Sequence, residues 1–452
     1  MGSISPSPPL SNPLTLSHAS RHLLPFGPGV FSQLIITRAH GTHLYTSDNH
    51  RILDWTSGQM SCLIGHGHPE IVETITHHAE HLDHLFSAFI SPPVVQLAEK
   101  LTGVMPKGLE KAMFLSTGGE SNEAAIRLAK TVTGKWEVVG LSCSWHGMTG
   151  AANGAQYLFG RSGVGPTLPG NHVLPAPNAY RSIFRKPDGS YDWETELDFG
   201  WSLVDRASAG SLAAVIMEPL LSSGGMLVLP EGYMAAMKKH CEARGMLLIV
   251  DEAQTGLGRC GDMFGFEHQG VVPDIVTLSK TLGNGMPLSA VVTSDEIAEK
   301  AKENDFLFYT THVNDPLPAA VGLKVLEIVV RDGLVEKARE SGEMLRDGFK
   351  RLMDRYACIG DVRGRGLMTG VEIVKDRRFE GALGKAPNVD LGKALSAKMM
   401  DLGLSANLMG NNQFGGIFRI APPIVVEEKE IIEGLAIFER ALQETKGTGF
   451  MA

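Results

Sequence analysis

The chain's 452 residues exceed what one hydrophobic core supports, so two lobes are expected. A net charge of −9 argues against nucleic acid as a partner, and no apolar run approaches membrane-spanning length. The five cysteines, Cys62, Cys143, Cys241, Cys260 and Cys358, are scattered without a CxxC pair; this argues against a structural zinc and makes a reducing, cytoplasmic setting the expectation.

Residues 1–28, rich in Ser, Pro and Leu, lack the basic start and apolar core of a signal peptide and are predicted to be a flexible segment. Met1-Gly2 fails as a myristoylation start because Pro6 stands where Ser or Thr is needed. His77, His78, His81 and His84 recur at helical spacing. No carboxylate or Cys set completes a transition-metal site there, so they read as a solvated helix face. Ala112–Leu115 reads as a strand, followed by Ser116-Thr-Gly-Gly-Glu-Ser-Asn122 and a helix predicted over Glu123–Thr133, with Gly134 as its stop. Small residues let the backbone approach an anion, with donors expected from Thr117, Gly118 and Gly119. Taken alone, that unit also describes an ordinary βα turn.

Glu137–Leu141 is the next strand and runs into Ser142-Cys-Ser-Trp-His-Gly147, where Trp145 offers a flat face for stacking; core packing is the plainer reading of a lone Trp. Ala213–Met217 follows and ends at Glu218-Pro219. Leu247–Val250 is an apolar run that stops on Asp251, Ile275–Leu278 stops just before Lys280, and Ser289–Thr293 is a further strand. Strands alternating with helical stretches predict an α/β fold around a mostly parallel sheet. In such sheets catalytic groups gather at the carboxyl ends of strands, so Asp251 and Lys280 should share one rim. A lysine beside a carboxylate is what a pyridoxal phosphate enzyme needs: an amine to bond the aldehyde and an acid for the ring nitrogen. Gln254, three residues past Asp251, has the reach to touch the coenzyme's phenolic oxygen, though alone it reads as a surface amide.

A long helical pattern follows Pro316-Leu-Pro318, over about Ala319–Arg331 and then Leu334–Tyr356. Strand-like runs at Ile359–Gly366, Met368–Ile373 and Ile417–Ile420 open a second lobe. The predicted division is a flexible segment at 1–28, an N-terminal part of the small lobe at 29–75, a large coenzyme-binding domain at 76–330, a C-terminal small domain at 331–445 and a tail at 446–452. Gly364-Arg-Gly-Leu-Met-Thr-Gly370 has the wrong spacing for a dinucleotide fingerprint.

Long stretches carry a family resemblance. They include Thr56-Ser-Gly-Gln-Met-Ser61, Leu82-Asp-His-Leu-Phe-Ser87, Leu115 to Ala125, Ser144-Trp-His-Gly-Met-Thr-Gly-Ala-Ala152, Glu218 to Gly225, Asp251 to Gly256, Phe308-Tyr-Thr-Thr-His-Val313 and Phe418-Arg-Ile-Ala-Pro-Pro423. The chain resembles the class III pyridoxal phosphate aminotransferases of fold type I, with a large α/β domain and a smaller α+β domain built from both chain ends. Within that family it is most similar to the 2,2-dialkylglycine decarboxylases, which couple decarboxylation to transamination. The resemblance implies a homodimer or dimer of dimers with shared active sites, small amino-acid and keto-acid substrates, and an alkali cation, potassium or sodium, at Leu85, Ser87, Thr311, Val313 and Asp315. Hard oxygen ligands suit such an ion. Asn314 departs from the family's Ser there.

By the same resemblance, Gln59 and Lys280 hold a substrate carboxylate perpendicular to the coenzyme ring, so that carbon dioxide leaves a 2,2-dialkylglycine such as 2-aminoisobutyrate. Arg419 and Ser223 then hold the carboxylate of pyruvate while Lys280 moves the proton that completes L-alanine. Trp145 and Met148 are expected to border the substrate, Asn122 and Glu218 to lie behind the contacting groups, and Thr311 to reach a neighbouring subunit's coenzyme phosphate. The alternatives are a conventional aminotransferase on the same scaffold and a coenzyme-binding protein without turnover; the intact Asp251, Gln254 and Lys280 set disfavours the latter. The stretch Met409–Gly415 departs from the family pattern just before Arg419, leaving the preferred alkyl groups open.

Overall fold

The computed structural model describes residues 12–27, 31–158, 160–161, 163–379, 381–411 and 415–446. Within the stretch predicted to be flexible, Asn12–His22 is helical, while 1–11 and 28 lie outside the described residues. So do 412–414 of the predicted pocket loop and 447–452 of the tail.

Seven strands form the central sheet, in the spatial order Lys111–Leu115, Ser289–Thr293, Ile275–Leu278, Leu247–Asp251, Leu212–Met217, Glu137–Leu141 and Asn171–Leu174. Ser289–Thr293 runs antiparallel to both its neighbours, and the remaining pairs are parallel. Helices cover both faces, which is why the strands read as unbroken apolar runs rather than alternations. Leu212–Met217 is buried at every position. Each fully buried Val, Leu or Ile adds about 1.5–3 kcal/mol, so strand depth is set firmly and the polar residues at strand ends inherit a fixed rim.

The helix predicted from Glu123 begins earlier, at Gly118. Thr117 is its N-cap: the Glu120 amide donates to Thr117 Oγ1 at 3.3 Å, and the Glu120 carboxylate accepts from the Ser116 and Thr117 amides at 2.9 and 3.0 Å. This capping box converts the predicted turn into the first helical turn. It also corrects one expected donor, because the Thr117 amide is spent on Glu120. The amides of Gly118 and Gly119, in the first helical turn, have no intrahelical acceptor.

Both chain ends build the smaller sheets. Ile36–His40, His43–Thr46 and Arg51–Asp54 form a meander, and Leu404–Ser405 joins it parallel to Arg51–Asp54. A second, antiparallel sheet has the order Ile359–Arg365, Met368–Ile373, Gly415–Ile420, Asn407–Asn411. The helices Pro316–Arg331 and Leu334–Arg355 connect the central sheet to it, the first starting on Pro at its opening position. The layered arrangement is that of fold type I.

Candidate active site

Asp251 ends its strand and Lys280 opens the turn after Ile275–Leu278, so the two neighbouring parallel strands deliver them to one rim. They line one cavity of about 330 Å³ together with Thr117, Gly118, Gly119, Asn122, Trp145, His146 and Ser279. A second cavity of about 350 Å³ shares Trp145 and Lys280 and adds Thr56, Gln59, Met60, Ser223, Gln254, Asn407, Leu408, Met409 and Arg419. A larger surface groove of about 580 Å³ beside His77, His78 and His81 shares no lining residue with either.

Asp251 is 3% exposed. Its Oδ2 accepts from Asn122 Nδ2 at 2.8 Å and meets His146 Nδ1 at 2.9 Å, and its Oδ1 accepts from the Ala253 amide at 3.0 Å. Asn122 is itself fixed by Thr277 Oγ1 at 2.6 Å and by the His146 carbonyl at 2.8 Å. Burial pushes the Asp251 pKa up, but His146, Lys280 and the Ala253 amide outweigh it and hold the carboxyl below its ordinary value. His146 is the residue that sequence reasoning missed. Its signal lay beside Trp145 in Ser144-Trp-His-Gly147. Gly147, at φ 121°, is what lets that turn close on the helix start: a Cβ there would sit 2.9 Å from Gly119 Cα.

Burial lowers the Lys280 pKa and Arg419 adds to this, against Asp251 and Glu218. Glu218 accepts from the Trp145 amide at 3.0 Å and the Ser222 amide at 3.1 Å, and burial, with Asp251 adding, pushes it up to about 7. Arg419 is 6% exposed; its Nη1 donates to Ser223 Oγ at 3.0 Å and its Nε to Asn407 Oδ1 at 3.4 Å. Among the described residues no carboxylate lies within ion-pair distance of it. Burial pushes its pKa down to about 10. A desolvated guanidinium without an acid is costly.

Gln59 sits in a run of left-handed backbone: Ser57, Gly58, Gln59 and Met60 have φ of 48°, 49°, 68° and 64°. Such a conformation costs on the order of 1 kcal/mol per non-glycine residue. The Gln59 amide makes no hydrogen bond among the described residues and is exposed toward the second cavity.

Other expected residues lie elsewhere. Met148 is 57% exposed and lines neither cavity, because the chain turns outward after Gly147. Thr311, expected to serve a neighbouring subunit and not its own, is exposed and also lines neither cavity of its own chain. Asp315 is engaged by two imidazoles, Oδ1 with His84 Nδ1 at 2.6 Å and Oδ2 with His312 Nδ1 at 2.5 Å. Ligand atoms of His84, His312 and Asp315 lie within 4.8 Å of one another, a group that could hold a metal ion, so His312 and a carboxylate do join His84, which the sequence reading did not foresee. Asn314 accepts from the Phe114 amide at 3.0 Å through its side chain and donates its own amide to the Phe114 carbonyl at 3.0 Å, so it staples that segment to the sheet edge.

The family model for class-III aminotransferases matches residues 28–442. This chain belongs to the class III aminotransferase family. It is 50% identical to an uncharacterized aminotransferase of Schizosaccharomyces pombe over 96% of each chain. Among solved structures it is similar to an (S)-enantioselective omega-transaminase from Thermomicrobium roseum, with TM-score 0.86, 31% identity, and 96% and 98% of the two chains covered. An amine transaminase from an uncultivated Pseudomonas species, solved with its pyridoxal phosphate, gives TM-score 0.85, 26% identity and 94% and 99% coverage.

Class III aminotransferases use pyridoxal phosphate on small amino acids and keto acids, and the donor set here fits that coenzyme. A Cβ on Gly118 would lie 2.7 Å from Ser279 Oγ, so a larger residue there would make that hydroxyl move aside from the cradle. Ser279 Oγ and His146 Nε2 are buried polar atoms with no partner among the described residues. The cavity carries an anion-seeking helix start at one end and an ionised carboxylate, Asp251, at the other, matching the phosphate and the protonated ring nitrogen.

Proposed function

We propose that this class III aminotransferase is a decarboxylating transaminase of 2,2-dialkylglycines. It would convert 2-aminoisobutyrate and pyruvate into acetone, carbon dioxide and L-alanine. The observation that supports this reading is the second cavity, which sets two separate carboxylate-seeking groups, Gln59 and Arg419, around Lys280.

The amides of Gly118 and Gly119 would hold the coenzyme phosphate, Asp251 the ring nitrogen, Gln254 the phenolic oxygen and Trp145 the ring face, with Lys280 bonded to the aldehyde. When bound, pyridoxal phosphate supplies an electron-withdrawing ring joined to the substrate amine. Asp251, kept ionised by His146, holds the proton on that ring's nitrogen. Gln59 and Lys280 orient the carboxylate that leaves. Arg419 and Ser223 hold a carboxylate that stays, and Lys280 Nζ carries a proton to and from the α-carbon. Burial favours the neutral amine that this last task requires.

Carbon dioxide release from 2-aminoisobutyrate with pyruvate tests the reading. A protein that transaminates L-alanine and never releases carbon dioxide is a conventional aminotransferase instead. We place the protein in the cytoplasm and its partner as a second copy of the chain. Exposed Phe86, Phe89, Ile90, Leu307 and Tyr309, on two segments linked by Ser87 Oγ and Tyr309 Oη at 3.5 Å, support the second copy. An alkali ion at Asp315 would share that carboxylate with His84 and His312. Equal rates in potassium and sodium salts would remove the ion from this proposal.

A further inference from the structure

The Gln59 turn is held from one side by a group with no role so far. Asp54, fully buried, ends its strand and turns both oxygens into the loop that follows. Oδ1 accepts from the Thr56 amide at 2.9 Å and Thr56 Oγ1 at 2.6 Å; Oδ2 accepts from the Gly58 amide at 2.9 Å and meets His66 Nε2 at 2.8 Å. These bonds bracket the left-handed run on its entry side. On its exit side, Ser61 Oγ donates to the Lys280 carbonyl at 3.1 Å. Between them Ser57 Oγ donates to the Ala421 carbonyl and accepts from Arg259 Nη2 at 3.2 Å, while Arg259 Nη1 donates to the Pro422 carbonyl. Ala421 and Pro422 follow Arg419 by two and three residues. The turn is therefore tied at once to the lysine and to the arginine strand.

We infer that Asp54, braced by His66, is the positioning residue that sets the Gln59 amide and with it the partition between carbon dioxide loss and simple transamination. This rests on the reading of Gln59 given above. The Asp54 carboxylate gathers the Thr56 and Gly58 amides at the entry to the four left-handed residues, so losing it should let that end of the run relax. A Gln59 amide pointing a different way would still bind substrate, but would not hold its carboxylate perpendicular to the ring. The Asp54–His66 pair stays ionised, since the carboxylate, with Cys62 adding, pushes His66 up to about 10.

The test is single-turnover kinetics of the holoenzyme with 2-aminoisobutyrate and, separately, L-alanine. Parent, Asp54→Asn, Gln59→Ala and the double variant are compared. Loss of one hydrogen bond to a charged group predicts a fall of about 10- to 100-fold with 2-aminoisobutyrate for each single variant. The expected loss with L-alanine is smaller, and the double variant should be no slower than the slower single. Equal losses in both reactions, or losses that multiply in the double variant, overturn the inference. His66→Leu should shift the partition in the same direction and His66→Gln, which keeps a donor, should restore it. That pair decides the matter if Asp54→Asn fails to fold. A parent inert toward 2-aminoisobutyrate defeats the proposed function alone. The cycle is then read on L-alanine kcat/KM, where multiplying losses remove Asp54 and non-multiplying losses keep it.

Discussion

Two arginines lie in one row of the C-terminal sheet, Arg419 buried and Arg363 mostly so. Gly370 pairs with Arg363 on one side and with Arg419 on the other. Both side chains reach the same Ser222–Met226 loop, Arg363 Nε to the Gly225 carbonyl at 2.8 Å and Arg419 Nη1 to Ser223 Oγ at 3.0 Å. Arg363 also bonds Asp361 at 2.6 Å and Glu372 at 2.7 Å. Among the described residues Arg419 finds hydroxyls and an amide but no acid. The titration follows: burial works against Arg363, yet Glu372 and Asp361 hold its pKa above the ordinary value, whereas burial takes Arg419 down to about 10. One cation is satisfied by the fold, and the other, proposed to meet a substrate carboxylate, has no acid among the described residues. Lys280 belongs with the second, among the described residues, since it too has no ion pair.

The largest effect should come from the unpaired lysine. Lys280→Ala removes the amine proposed to bond coenzyme and move the proton, and overall turnover is expected to fall by as much as about 10⁴-fold. Borohydride reduction followed by peptide mapping should find the linkage at Lys280 in the parent and none in the variant. A reducible adduct at another lysine would break the assignment.

Next is the paired arginine. Arg363→Met leaves Asp361 without its partner and Glu372 with Arg181 alone, and removing one member of a buried pair costs about 3 kcal/mol. Chemical denaturation should show that loss while the KM for pyruvate stays within about twofold of the parent, well inside the effect of losing a direct contact. A large KM change with unchanged stability would reverse the roles assigned to the two arginines.

Much of this was readable in advance, for definite reasons. Ile275–Leu278 and Ser289–Thr293 run as predicted to the residue because strands buried on both faces are continuous apolar runs with clear stops. Asp251 and Lys280 could be placed together because parallel strands bring their carboxyl ends to one rim. The meander at 36–54 was not foreseen as strands: Ile36-Thr-Arg-Ala-His40 is largely exposed and has no apolar alternation to reveal it. The helix start at Gly118 was missed although Thr117 and Glu120 hold a capping-box spacing. Side-chain direction was the other gap. Met148 stands in a motif beside Trp145 yet points away, and Asp315 is met by two imidazoles from separate segments, one of them 231 residues away in sequence. Position in a motif carries identity; partners come from tertiary structure.

The unpaired arginine supplies the third effect and the opposite sign on stability. Arg419→Met removes a desolvated charge that has no internal acid, so stability should hold or rise, as replacing uncompensated buried charge commonly does. Binding of keto acid should weaken by about 10- to 100-fold, the loss of a charged, bidentate contact. Arg419→Lys should recover only part, since an ammonium cannot reproduce the fork. Steady-state KM for pyruvate and thermal melts on the same samples check both halves. If Arg419→Met destabilises as Arg363→Met does, the contrast between the two fails.

The smallest effect concerns Asp54 and His66, an ion pair that the fold closes by itself and that therefore falls on the side of Arg363. His66 has an ordinary pKa of 6.5 and is pushed up to about 10 in the folded chain, mainly by its bond to Asp54. Folding therefore favours the protonated ring. That contribution is complete below the unfolded value near 6.5, shrinks as the unfolded chain loses its proton, and is gone as pH rises through about 10. His66→Gln keeps a donor to Asp54 but cannot titrate, so its melting temperature should fall less than the parent's between pH 7 and pH 10. The ring is partly open to solvent, which tempers the size of the difference without changing its sign. Arg363 offers the control, because a guanidinium does not titrate in that window and Arg363→Met should shift the whole curve without altering its slope. Parallel curves for the parent and His66→Gln would mean that the pair is not ionised as described, and would return Asp54 to the role of a neutral hydrogen-bond acceptor.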